Sequence, residues 1–152
     1  MKKIYISSTY KDLLEERKTT DRAVRSLKHA SICMEDYVAC DNRPLEKCLQ
    51  DVRQCDAYIG IFAWRYGHIP KDCKKSITHM EYDEAGIVGI PRLIFLLDEN
   101  APWPRNKISK GDDQEHIDAF RTELNKKHIT SFRITPFAGF TLSYLKGSKV
   151  LD

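Results

Sequence analysis

Ala57-Tyr-Ile-Gly-Ile-Phe-Ala63 is an apolar run without a single charge, the pattern of a strand buried on both faces. Leu93-Ile-Phe-Leu-Leu97 is a second run of the same kind. The segment between them carries helical spacing, and two buried strands joined by a helix predict a right-handed crossover in a parallel sheet. Within that helix Ile77, Glu81, Ala85 and Val88 are spaced by four, four and three residues, so they share one face. That face is expected to be buried. An ionised carboxylate rarely enters an apolar stripe without a partner or a task. At the start of a crossover helix, Glu81 is expected at the carboxyl rim of the sheet, where open α/β folds bind ligands.

Outward from this core, Lys3–Ser7 alternates as a first strand. Thr9 is predicted to start a helix with Asp12 as its capping-box partner. That helix should run to about His29, with Glu15, Glu16, Arg17 and Lys18 on its charged outer face. Ser31–Met34 is a weaker second strand, and a polar connection, Glu35–Arg43, leads to a helix opening at Pro44 and ending near Cys55. Thr78 is the predicted cap of the helix carrying Glu81, and Gly86 and Gly89 close it. After the strand Arg92–Leu97, the loop Asp98–Asp112 contains Pro102-Trp103-Pro104 and exceeds usual connection lengths, as lids and binding loops often do. A helix at about Asp113–His128, with Ile117, Phe120 and Leu124 on one face, and a fifth strand, Thr130–Ile134, complete the pattern. The expected fold is a flavodoxin-like α/β three-layer sandwich over residues 1–135, with a five-stranded parallel sheet of order 2-1-3-4-5. Residues 136–152 are expected to be a tail that packs on the domain or leads to a further region.

With 152 residues, 41% of them hydrophobic and 31% charged, the chain is sized for one globular domain with its own core. Basic residues (25) barely outnumber acidic ones (22), which gives no electrostatic footprint for a nucleic-acid partner. No apolar run reaches membrane-spanning length. Met1-Lys-Lys-Ile-Tyr-Ile-Ser7 enters a strand pattern without the apolar stretch of a signal peptide. A cytoplasmic protein with reduced thiols and no membrane partner is therefore expected. Cys48 and Cys55 fall at helical spacing and read as small buried hydrophobes. Without Cys-x-x-Cys pairs or suitable histidine spacing, no metal site is expected.

The carboxyl ends of strands one, three and four bring together Ser7, Ser8, Thr9 and Tyr10; Trp64, Arg65 and Tyr66; and Asp98, with Thr78 and Glu81 nearby. Hydroxyls, a stacking aromatic, a guanidinium and a carboxylate form a set for a sugar, a base and a phosphate. A carboxylate suits glycosidic chemistry because it can attack or stabilise an oxocarbenium-like centre or grip ribose hydroxyls. No Gly-x-Gly-x-x-Gly or Walker A pattern exists, so a nucleotide would be held by hydroxyls and helix-start amides. Plainer roles stand beside these. Thr78-x-x-Glu81 is itself a capping box, Ser8 or Thr9 can cap the first helix, Trp64 can be a half-buried core aromatic, Arg65 can pair with a surface acid, and Tyr10 can simply pack. His79 is expected to point outward. No catalytic triad or Gly-x-Ser-x-Gly elbow is present.

Four stretches in order, Ile4-Tyr-Ile-Ser-Ser-Thr-Tyr-Lys-Asp-Leu-Leu-Glu-Glu-Arg17, Asp56-Ala-Tyr-Ile-Gly-Ile-Phe-Ala-Trp-Arg-Tyr-Gly67, Ser76-Ile-Thr-His-Met-Glu-Tyr82 and Leu93-Ile-Phe-Leu-Leu-Asp98, resemble a TIR-like domain of unknown function. That domain is known mainly from the N-termini of NACHT- and STAND-type signalling ATPases and repeat proteins. It is similar to TIR domains and to nucleoside deoxyribosyltransferases. In the latter a Thr precedes the catalytic Glu by three residues and an Ala follows it by four, positions matched by Thr78, Glu81 and Ala85. Their glycine two after the Glu is Asp83 here, and their upstream Asp-x-Gly is Lys75-Ser76-Ile77. Enzymatic TIR domains commonly carry a Trp four residues before their NAD-cleaving Glu, the position of Ile77. The resemblance implies Glu81 as the catalytic group of an NAD(P) nucleosidase or deoxyribosyltransferase-like hydrolase, with NAD or a related nucleotide as substrate and not as cofactor. Ser7, Ser8 and Thr9 would contact ribose or phosphate, and Trp64 would stack a base. It also implies a signalling or antiviral-defence setting, with self-association or a STAND-type ATPase as partner. A non-enzymatic interaction module and a sensor of a nucleotide signal are the competing readings.

Overall fold

The computed structural model describes residues 1–33, 45–128, 131–132 and 145–151. In chain order the elements are β1 (Lys3–Ser8), α1 (Leu14–Ser26), β2 (Ala30–Ile32), α2 (Leu45–Arg53), β3 (Ala57–Phe62), α3 (Ile77–Val88), β4 (Arg92–Leu97), α4 (Asp112–Lys127) and β5 (Ser131–Phe132). Four strands form a parallel core in the order β2-β1-β3-β4. Beyond β4, β5 adds a short parallel rung that pairs Ser131 with Leu96 and Phe132 with Leu97. The fifth strand expected over Thr130–Ile134 is thus described for two residues only. Met34 of the expected second strand, the connection Glu35–Arg43, the rest of Thr130–Ile134 and residues 136–144 of the expected tail lie outside the described residues.

Every residue of β3 is buried, as its apolar run predicts. Alternation along the strands then divides the sheet into two unlike faces. One face carries Ile4, Ile6, Ile59, Ile61, Leu93, Phe95 and Leu97, packed against Leu13 and, in α1, Ala23 and Val24. Leu145 and Leu151 near the C-terminus join that cluster. The other face carries Tyr5, Tyr58, Phe62, Ile94 and Leu96, packed against Val52 of α2, Tyr82 and Ala85 of α3, and Ile117, Phe120 and Leu124 of α4. The result is an α/β sandwich with helices on both sides of a parallel sheet.

Helix α1 departs from expectation. It begins at Leu14, not Thr9, with Leu13 as an N-cap that makes no side-chain cap. The expected Thr9–Asp12 capping box does not form; the residues from Tyr10 to Leu13 make a turn. The buried stripe becomes Arg17, Thr20, Ala23 and Val24, so Arg17 is inside instead of on the charged outer face. Its guanidinium reaches the end of β1 and donates to Ser8 Oγ at 2.8 Å. A charged side chain breaks an apolar periodicity in the sequence, yet here it supplies hydrogen bonds to the carboxyl rim of the sheet.

Candidate functional site

Helix α3 is set on the sheet by Ser76, whose hydroxyl accepts from the His79 amide at 3.2 Å. The predicted cap, Thr78, lies inside the first turn and is buried. The helix also turns a different face to the sheet from the one expected. Its buried residues are Thr78, His79, Glu81, Tyr82 and Ala85, while Val88, assigned to the buried stripe in the sequence, is exposed. His79 is inside, not outward.

Glu81 is 1% exposed. It points at the sheet, where Ser7 Oγ donates to Oε1 at 3.1 Å and the Tyr5 hydroxyl donates to Oε2. Ser7 and Tyr5 are two residues apart on β1 and so lie on one face. Their β3 partners in register are Gly60 and Tyr58, and the Tyr5 and Tyr58 rings stack at 6.3 Å between centroids. The Tyr58 hydroxyl is buried with no hydrogen-bond partner among the described residues. Burial first, and the neighbouring Glu81 charge second, push this phenol well above its ordinary range. A Cβ at Gly60 would stand 2.5 Å from the Phe62 ring and 2.9 Å from the Tyr58 ring, so the glycine is what lets rings and carboxylate share this face. Hydrogen-bond donors are what make a buried carboxylate tolerable.

Above the carboxyl ends of β1 and β3, Gly67 adopts φ 92°, a conformation that favours glycine. Its Cα packs so closely that a Cβ would meet Thr9 Cγ2 at 3.0 Å and Thr78 Oγ1 at 3.8 Å. The loop after β3 thereby joins Thr9 and Thr78 at the rim. Asp12 is also buried there, with both carboxylate oxygens lacking a hydrogen-bond partner among the described residues. Desolvation raises its pKa, partly offset by Thr9 and by the charges of Arg65 and Lys107.

The remaining expected residues divide. Ser8 turns to the α1 side, bonded to Arg17 and to the Thr9 carbonyl. Tyr10 is 40% exposed. Tyr66 is buried and its hydroxyl meets His79 Nδ1 at 2.8 Å. Arg65 is half-buried. Trp64 does stack, but on a protein group: the Arg121 guanidinium lies 3.8 Å from its ring centroid. Arg121 of α4 is itself 2% exposed and donates to the carbonyls of Ala63 and Leu97, closing the ends of β3 and β4. Its pKa is lowered by burial to about 10. Asp98 lines a hollow of about 220 Å³ with Glu99, Asn100, Arg121 and Asn125. Since β3 and β4 both lie on the same side of β1, this hollow is two strand spacings, roughly 10 Å, from the β1 position beneath Glu81. Only Ser7 of the expected set touches Glu81 among the contacts described.

Tyr5, Tyr58, Asp12, Arg17 and Arg121 are the rim and face residues that sequence reasoning missed. A period-two reading of β1 and β3 in parallel register finds both tyrosines. Arg121 falls between Ile117, Phe120 and Leu124 on the apolar face of α4, the same signal that exposes Glu81. The described residues contain no helix long and apolar enough to cross a membrane.

The family described as a domain of unknown function (DUF4062) matches residues 3–138, and the chain belongs to it. A Fringe glycosyltransferase of Drosophila melanogaster is 40% identical over 82 residues, which is 51% of this chain but 19% of that protein. The chain therefore spans about a fifth of that relative's length. Among solved structures, a 2-desoxiribosyltransferase from Leishmania mexicana is similar with a TM-score of 0.47 and 21% identity, covering 75% of this chain and 77% of the other. A 2-deoxyribosyltransferase from Bacillus psychrosaccharolyticus gives 0.48 and 15%, covering 76% and 90%.

Proposed function

We propose that this member of the family acts on a nucleotide, NAD or a close relative, and that Glu81 serves the cleavage or transfer of its N-glycosidic bond. The observation that carries the reading is the Glu81 carboxylate, buried and gripped by the hydroxyls of Tyr5 and Ser7. A carboxylate held in this way is oriented before substrate arrives, which is what a nucleophile or oxocarbenium stabiliser needs. Tyr5 fixes Oε2. Ser7 holds Oε1, and in this reading a carboxylate oxygen is offered to the anomeric carbon once Ser7 turns to a sugar hydroxyl. As the C–N bond breaks, the base leaves with the bonding electron pair, and water or a second acceptor takes the sugar. Thr9, Thr78 and Arg65 at the rim supply hydroxyls and positive charge for ribose and phosphate, and Tyr58 is a spare buried donor beside the carboxylate. In this reading Ser8, Tyr10, Trp64, Tyr66 and Asp98 take no direct part in the step; Ser8, Trp64 and Tyr66 are engaged by Arg17, Arg121 and His79. The reading extends to a reducing, cytoplasmic setting in signalling or antiviral defence.

One observation favours the competing module. Ile87 is 77% exposed and Val88 39% exposed at the end of α3, an apolar spot suited to self-association or to a STAND-type ATPase. In that case the Glu81 cluster only secures α3 to the sheet. Incubating concentrated protein with NAD, NADP, ADP-ribose and 2′-deoxynucleosides, with products separated by chromatography, decides between them. Release of a free base from one of these supports the enzyme. No product from any of them, together with loss of self-association in Ile87→Glu, supports the module.

A further inference from the structure

His79 and Asp83 lie one turn apart on α3, and Glu123 faces them from α4. Their ligand atoms all fall within 4.8 Å of one another. His79 Nε2 is 3.6 Å from Glu123 Oε2 and 3.9 Å from Asp83 Oδ1, too far for hydrogen bonds. That nitrogen is buried without a partner, in a residue only 8% exposed. Burying an unbonded imidazole nitrogen beside two carboxylate oxygens costs free energy unless something joins them.

The surroundings hold each group in place. The Tyr66 hydroxyl meets His79 Nδ1 at 2.8 Å, and the Phe120 ring packs 3.9 Å from the imidazole. Lys75 takes the outer oxygen of Asp83 at 2.6 Å, and Lys127 takes the outer oxygen of Glu123 at 2.9 Å. The inner oxygens, Oδ1 and Oε2, are left facing Nε2. A tetrahedral ion with bonds of about 2.0–2.1 Å separates its ligand atoms by roughly 3.4 Å, so the two spacings to Nε2 need a few tenths of an ångström of closure, and the spacing between the two carboxylate oxygens, within 4.8 Å, closes by turning the partly exposed side chains. An imidazole nitrogen with two carboxylates is a donor set for zinc-like transition ions, whereas magnesium and calcium prefer oxygen throughout. With Nε2 on the ion, Nδ1–H donates to the Tyr66 oxygen, the usual outer support of a metal-bound histidine.

We propose that His79 Nε2, Asp83 Oδ1 and Glu123 Oε2 bind one divalent transition-metal ion, of the zinc class, that clasps α3 to α4. Asp83 and Glu123 side chains are about a third exposed, so the remaining coordination position opens to solvent. Lys75 and Lys127 aim the carboxylates but lower the local negative charge, which makes the site weaker than one without them. The site is separate from Glu81, whose carboxylate goes to the sheet.

The test is equilibrium dialysis of the tag-free full chain against Zn²⁺ with elemental analysis, and titration with Co²⁺ followed by visible absorption. One ion per chain is expected, with a tetrahedral Co²⁺ band and no thiolate charge-transfer band. Asp83→Asn/Glu123→Gln should weaken binding at least tenfold while circular dichroism stays native, and Cys73→Ser should leave binding unchanged. Substoichiometric zinc, equal affinity in the double variant, or a thiolate band would each overturn the assignment.

Discussion

The two faces of the sheet are made by the same strands and differ in almost every chemical respect. Under α1 the sheet offers Ile4, Ile6, Ile59, Ile61, Leu93 and Phe95, branched aliphatic side chains with an aromatic and no polar atom to satisfy. Under α2, α3 and α4 it offers Tyr5, Ser7, Tyr58, Gly60 and Phe62, with Glu81 lowered onto them. The first arrangement draws its stability mainly from apolar burial, with Arg17 and Ser8 as a polar contact at the end of β1. The second gives part of that up: it encloses a carboxylate and a phenol that each need donors or acceptors. The α1 side keeps its polar contact, Arg17 on Ser8, at the end of β1, whereas the α3 side sets a carboxylate directly on Tyr5 and Ser7.

Substitutions can break or sharpen this contrast. The largest loss of stability is expected on the dry face: Ile59→Ala removes a fully buried side chain and should cost about 2–5 kcal/mol in chemical denaturation. Activity per folded molecule should not change. On the polar face, Tyr5→Phe takes one donor from the buried carboxylate. It should cost roughly 1.5–3 kcal/mol, the range for a hydrogen bond to a charged group, and it should reduce turnover as well. A Tyr5→Phe protein as stable and active as the parent would erase the distinction between the faces.

The smallest effect is expected at the rim. Burial raises the Asp12 pKa above its ordinary 3.8, so the native state holds that proton more readily than the unfolded chain. Asp12 therefore costs stability at neutral pH, and the cost fades as pH falls through the raised value. Asp12→Asn should stabilise the protein at pH 7 by on the order of 1 kcal/mol, with the gain closing in acid. Thermal melts at several pH values measure it, and a destabilised variant at pH 7 would show that Asp12 has a partner worth more than its desolvation.

Much of the architecture could be read from the chain because apolar runs report burial directly. β3 and β4 were evident from Ala57–Ala63 and Leu93–Leu97, and the stripe Ile117, Phe120, Leu124 located α4. Glu81 was evident for the opposite reason, as a charge where apolar residues belong. Of its partners, Ser7 is in the set expected at the strand ends, and Tyr5 is not. Tyr5 meets Glu81 through the alternation of β1 and the face that α3 turns to the sheet. Arg17 and Arg121 were hidden because a buried arginine looks like surface until the carbonyls it serves are known. His79 was misjudged for the same reason: its surroundings come from Tyr66 and α4, far away in sequence.

The most direct measurement compares Glu81→Gln with the parent protein for NAD turnover and melting temperature under identical conditions. Gln keeps the shape; its amide oxygen accepts from one of the two hydroxyls and its NH2 donates to the other once that hydroxyl turns, but it cannot attack or neutralise an anomeric cation. Base release is expected to slow by about 10²–10³-fold, the size seen when a key charge-stabilising group is removed, with a cooperative melting transition retained. Equal base release by the two proteins would contradict it.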